Sequence, residues 1–270
     1  MLFAAMIPFC EAESIGLKVD QDAELIDQTI YSDTACGPTA LLSALKFGSK
    51  SHQLAYAGLT GSDDSTKLRF VIERYFDQKS SVFERQKRFT KAGGVAHVDL
   101  LAAYQDLAGD YELAKPQGKE WIRREGKPSV DFVRETHDKL RFSLLQEVAP
   151  ILALRSQIAR YDPETSSWNW RKMADHFVVV TAVPDTLRTE AHGFAIEYID
   201  PNGGKQASGF IHAERRQRFA GYQGTAAMGR WLDGNRFLLV TAPNSYSLID
   251  GERANWHDRT LITLSYIISL

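Results

Sequence analysis

Cys36 opens the run Cys36-Gly37-Pro38-Thr39-Ala40-Leu41-Leu42-Ser43-Ala44-Leu45, and a thiol in that setting can act as a nucleophile. Gly37 lets the backbone turn tightly, and Pro38 suits a first helical turn, where its missing N–H costs nothing. Leu41, Leu42 and Leu45 follow as an apolar stripe, so the run predicts a loop turning into a core-facing helix. Orphan N–H groups and the macrodipole favour an anion at a helix start, and the thiolate is the nucleophilic form of cysteine. Cys36 is also the only cysteine beyond the first ten residues. The plainer alternative is a buried structural thiol, because free cysteine is among the most buried residue types.

A thiolate nucleophile needs a base, and the base needs an orienting group. His176 stands some 140 residues further on, at the head of His176-Phe177-Val178-Val179-Val180-Thr181-Ala182-Val183. That continuous, β-branched apolar run predicts a buried central strand with the histidine at its first position. Phe194-Ala195-Ile196-Glu197-Tyr198-Ile199 alternates like a half-buried strand and ends in Asp200-Pro201-Asn202-Gly203-Gly204, a turn by composition. Asp200 at that strand end can take an imidazole N–H if the two strands pair in a suitable register. Asn202 is the alternative third member, although a turn role before Gly203 accounts for it more simply. Trp168 and Trp170 precede His176 in an expected loop, where they would wall a substrate cleft or cover the sheet edge.

The elements that must position these groups fall into two halves. Apolar spacing predicts helices over 68–76 and 98–107, and a longer one that Ser129 would cap, running to about 147 with Val133, His137, Leu140 and Leu144 on one stripe. Beyond Pro150, strands are expected over 151–158, beside the His176 strand, and over 237–240 and 261–268. Helices first and a largely antiparallel sheet afterwards is an α+β pattern.

The order of cysteine, histidine and carboxylate resembles the papain-like cysteine peptidases. The strings Cys36-Gly37-Pro38-Thr39-Ala40, His176-Phe177-Val178-Val179 and Asp200-Pro201 are similar to those of the bacterial peptidase C39-like domains. The likeness covers three short blocks, with about a hundred less recognisable residues between the first two. It implies a papain-like fold, with the nucleophile helix and a helical region packed on a mostly antiparallel sheet. It also implies a nucleophilic Cys36, a base His176, an orienting Asp200 and a glutamine that helps hold the oxyanion. In papain-like enzymes that glutamine lies about six residues before the nucleophile. Ile30 occupies that place here, and Gln28 is the candidate, eight residues upstream. The implied reaction is hydrolysis of a peptide or isopeptide bond through a thioester. A transglutaminase-like acyltransferase or amidase would use the same triad, and a catalytically silent binding domain is the third reading.

Composition sets bounds on this. The 270 residues are 44% hydrophobic, enough for a substantial core, and the net charge of −2 gives no field for a polyanion. The basic run Arg215-Arg216-Gln217-Arg218 is expected to be a solvated face, so no nucleic-acid partner is expected. The cysteines form no disulfide framework, and the seven histidines, among them His52, His97, His192, His212 and His257, show no paired ligand spacing. No metal or cofactor is expected; the partner would be a peptide or protein substrate, without stable membrane insertion. Residues 1–12 are largely apolar and fit a short signal peptide, although no Lys or Arg precedes Lys18. That segment would make the protein exported, and its absence cytoplasmic. The rest, 13–270, is expected to form one domain with a helical insertion around 50–147.

Overall fold

The computed structural model describes residues 13–20, 22–122, 126–164, 167–213, 222–223, 231–232, 237–242 and 259–270. The expected signal segment, Arg215 to Arg218 and His257 lie outside them.

Helices dominate the first half: α1 (Cys36–Lys46), α2 (Lys50–Gly58), α3 (Asp64–Val71), α4 (His97–Asp110) and α5 (Ser129–Leu145). A π-helical turn, Ile72–Phe76, continues α3. Short strands β1 (Ser14–Gly16), β2 (Phe89–Thr90), β3 (Gly94–Val95) and β4 (Gln117–Glu120) are threaded among them. The second half is strand: β5 (Ile151–Asp162), β6 (Ser167–Pro184), β7 (Gly193–Asp200), β8 (Lys205–Ala213), β9 (Tyr222–Gln223), β10 (Trp231–Leu232), β11 (Leu238–Thr241) and β12 (Arg259–Ser269).

The sheet closes on itself, and this overturns the papain-like fold expected from the sequence. The antiparallel order β6-β5-β12-β11-β8-β7 returns to β6, because β6 pairs with β5 on one side and with β7 on the other. Six strands therefore form a closed antiparallel barrel with five helices. Curvature enters at irregularities between Ser156 and Gln157, between Val180 and Ala182, and between Leu264 and Tyr266. Bulges of this kind bend and twist a strand, and closure needs that bend. Apolar periodicity along one strand carries no signal for it.

Two apolar clusters explain the strand sequences. Leu152, Leu154, Val178, Val180, Ile196, Tyr198, Ile211, Leu238 and Leu264, from all six barrel strands, share one cluster, which Phe132, Val133, Leu140 and Leu144 of α5 join. Ile151, Ala153, Phe177, Val179, Tyr266 and Ile268 point the other way, into a cluster with α1, α3 and α4. β5, β6 and β12 are thus covered on both faces, which is why they read as continuous apolar runs. β7 alternates buried with exposed residues from Phe194 to Tyr198 and is buried from there to Asp200. Helix α1 is buried from Cys36 to Leu45, with Thr39 and Ser43 buried along with its apolar stripe. Among the described residues, no helix is long and apolar enough to cross a membrane.

Several element expectations need adjustment. His176 is not at the head of its strand: β6 begins nine residues earlier, at Ser167, so Trp168 and Trp170 lie in a strand and not in a loop. Their backbones pair with Tyr161 and Ala159 of β5. Ser129 is the first residue of α5 and not its cap; Pro128 holds that place without a side-chain bond.

Candidate active site

Three elements converge on His176. The imidazole is 4% exposed, and its Nε2 donates to Asp200 Oδ1 at 2.7 Å. The Cys36 thiol is its second side-chain hydrogen-bond partner. With Nε2 committed to the carboxylate, Nδ1 is the nitrogen left for sulfur, the tautomer following from the bonding pattern. Burial alone would disfavour the imidazolium. The hydrogen bonds to Asp200 and Cys36, together with their charge, outweigh that and raise the His176 pKa from 6.5 to about 10.

Local sequence accounts for each placement. The intrahelical ladder of α1 begins with Thr39 N–H donating to Ala35 at 3.0 Å, which leaves the Cys36 and Gly37 N–H groups outside it. Pro38 has no N–H to satisfy. Gly37 is required by close packing: a Cβ there would lie 2.2 Å from Val95 Cγ1. The β2–β3 hairpin is held against this turn, with Thr34 Oγ1 donating to the Lys91 carbonyl at 2.9 Å. Cys36 is 8% exposed.

The strand register settles the geometry that the sequence left open. Val179 pairs with Ile199, so Asp200 lies one step beyond that pair, toward His176. Asp200 is 1% exposed, and its Oδ1 also accepts the Asn202 N–H at 2.9 Å. Asn202 therefore contributes its main chain to the carboxylate, and its side chain is not the partner of the imidazole. Gly203 and Gly204 both adopt positive φ, 84° and 54°, and so permit the tight turn that returns the chain into β8.

Gln28 comes to the same place from a 3₁₀ turn, Gln28–Ile30. Its N–H donates to the Pro201 carbonyl at 2.8 Å, beside Asp200, and its side-chain Nε2 donates to the carbonyl of Asp33, three residues before the nucleophile. The side chain is 5% exposed, and its Oε1 is buried without a hydrogen-bond partner among the described residues. One amide N–H is thus engaged by Asp33, and among the described residues the second has no hydrogen-bond partner. The side chains of Trp168 and Trp170 lie outside the described part of the structure.

One more charged group, with no motif to mark it in the sequence, adjoins His176 along β6. Asp175, next to His176, binds Arg155 Nε at 2.8 Å and also Lys172. Burial would raise its carboxyl, but Arg155 and then Lys172 hold it below the usual range. The available signal was Arg155 itself, a cation interrupting the apolar run Ile151-Leu152-Ala153-Leu154. Nearby His97 stacks on Tyr266 with ring centroids 4.3 Å apart, and burial followed by the charge of Arg155 lowers its pKa. It has the opposite electrostatic character to His176. Among the described residues, no three His, Cys, Asp or Glu side chains group as a metal site.

Comparisons of the chain with protein-family models, with characterised proteins and with solved structures find no match.

Proposed function

We propose that this chain is a cysteine-type hydrolase cleaving peptide or isopeptide bonds. The observation that carries the reading is a single imidazole bonded on one side to a buried carboxylate and on the other to a thiol at a helix start. The three blocks that resemble C39-like peptidases contain these same residues; the papain-like fold plays no part in the argument.

The chemistry follows from who holds which proton. His176 takes the Cys36 proton, and Asp200 accepts the Nε2–H and stabilises the imidazolium that forms. The thiolate attacks the acyl carbon, and the developing oxyanion meets the Cys36 N–H and the free N–H of Gln28. His176 returns its proton to the leaving amine, which departs and leaves a thioester. Water, deprotonated by His176, then releases the acid and restores the thiol. An oxyanion donor of this kind is worth about a hundredfold or more in rate.

A silent binding domain draws support from the low exposure of Cys36 and from the bond between Gln28 and Asp33. Alkylation by iodoacetamide across pH, in wild type and in His176→Ala, separates the two. Fast labelling that collapses in the variant, followed by turnover in a peptide library, supports the hydrolase. Slow labelling that is indifferent to His176 overturns it.

A further inference from the structure

Residues 78–88 form a second hairpin, independent of the candidate active site. Arg88 N–H donates to the Gln78 carbonyl and Ser80 N–H to the Gln86 carbonyl, both at 2.8 Å. Its tip is tied down by a carboxylate with no solvent exposure. Asp99, in the first turn of α4, accepts from Ser80 Oγ at 2.6 Å and from both the N–H and Oγ of Ser81 at 2.9 Å. Ser80 Oγ in turn accepts the N–H groups of Val82 and Phe83, at 3.0 and 2.9 Å.

This anchoring presents apolar side chains outward. Val82 is 48% exposed and Phe83 50%, on a tip whose residues from 81 to 87 are all exposed. Lys79 and Arg85 flank them, and among the described residues neither forms an ion pair; Lys87 and Arg88 are paired with Asp77 and Asp106. Glu84 is the one carboxylate on the tip. The local balance is therefore cationic in a chain whose net charge is −2.

We propose that this tip docks on an anionic lipid bilayer, with Val82 and Phe83 entering the headgroup layer and Lys79 and Arg85 meeting its charge. Two side chains on a projecting hairpin supply far less than the roughly 800 Å² per partner of a stable protein interface. A headgroup layer, by contrast, accepts any projecting tip and needs no matching cavity. The internal bonds fix the tip in place, so little ordering is required on docking. The protein would lie on the membrane and not across it.

The test is co-sedimentation of the full chain with vesicles of phosphatidylcholine alone and of phosphatidylcholine and phosphatidylglycerol in equal parts. Binding is expected only to the mixed vesicles and is expected to weaken with salt. Removing both apolar residues together, Val82→Ser with Phe83→Ser, is expected to weaken binding about tenfold or more. Lys79→Gln with Arg85→Gln is expected to weaken it about fivefold per charge removed. Circular dichroism and Cys36 labelling matching wild type would show that the variants fold. No binding to the mixed vesicles, equal binding to neutral ones, or undiminished binding by the folded apolar-tip variant would each overturn the proposal.

Discussion

Two aspartates with almost no solvent exposure, Asp200 and Asp99, hold two different parts of this molecule. Asp99 accepts from two serine hydroxyls and a main-chain N–H, none of which titrates in the ordinary range. Asp200 accepts from a main-chain N–H and from an imidazole whose other partner is a thiol. Burial is the same, and the partners decide the role. A carboxylate among fixed donors is an anchor, whereas one bonded to a titratable group can move that group's proton equilibrium. Burial of a charge is therefore weak evidence for catalysis until its partners are named.

The comparison is tested hardest at the thiol and the imidazole. Cys36→Ala is expected to abolish hydrolysis and the fast, His176-dependent labelling, and His176→Ala to lower hydrolysis by about three orders of magnitude or more. Activity near the wild-type level in either variant would remove the site from the chemistry altogether. Asp200→Asn comes next, with an expected loss of about a hundredfold and a change in pH dependence. His176 keeps its proton in the folded state up to about pH 10, so the alkaline limb of activity is expected there in wild type. An uncharged partner lowers that pKa, and the limb should move down. A hydrolysis profile that is unchanged in Asp200→Asn would show that the carboxylate is only an anchor, like Asp99.

Stability follows the same proton. A raised folded-state pKa means that the folded state holds the His176 proton more tightly than the unfolded chain does, where the value is 6.5. The contribution is complete below that value, declines as the unfolded chain deprotonates, and is lost as pH rises through about 10. Urea titrations of wild type should accordingly show stability falling across that window. Asp200→Asn should flatten the fall. The opposite behaviour is expected of Asp99→Ala: a loss of about 3 kcal/mol at every pH in the window, with the position of the activity limb unchanged. A pH-dependent cost at Asp99, read from the same titrations, would erase the distinction between the two carboxylates.

Much of the site was legible because its local grammar is strong. Cys36-Gly37-Pro38 marks a helix start whatever surrounds it, and Asp-Pro-Asn-Gly-Gly marks a turn, so the thiol and Asp200 were placed on the right elements. The partner strand of His176 was also legible, since β5 lies opposite it with Leu154 facing His176. Barrel closure was not, because it depends on bulges and on β6 pairing along both edges, neither of which leaves a periodic trace. Trp168 and Trp170 were misread because a polar, serine-rich stretch looks like a loop until a long neighbour such as β5 offers it a ladder. Asp99 was invisible for a related reason. One acidic residue in the first turn of a helix is ordinary, and only the folded chain brings Ser80 and Ser81 to it.

The smallest expected effect asks how widely the anchoring at Asp99 is shared. Ser81→Ala removes one hydroxyl but keeps the Ser81 N–H bond and leaves the shorter bond from Ser80 intact. Its expected cost is about 1 kcal/mol, the net worth of one hydrogen bond, with labelling of Cys36 unaffected. Ser80→Ala should cost more, because the same oxygen also accepts from Val82 and Phe83 and its loss strands both N–H groups. Hydrogen exchange at those two amides reads the difference directly: faster in Ser80→Ala, nearly unchanged in Ser81→Ala. If the two variants exchange alike, the tip is held by its hairpin bonds, and Asp99 contributes burial without anchoring anything.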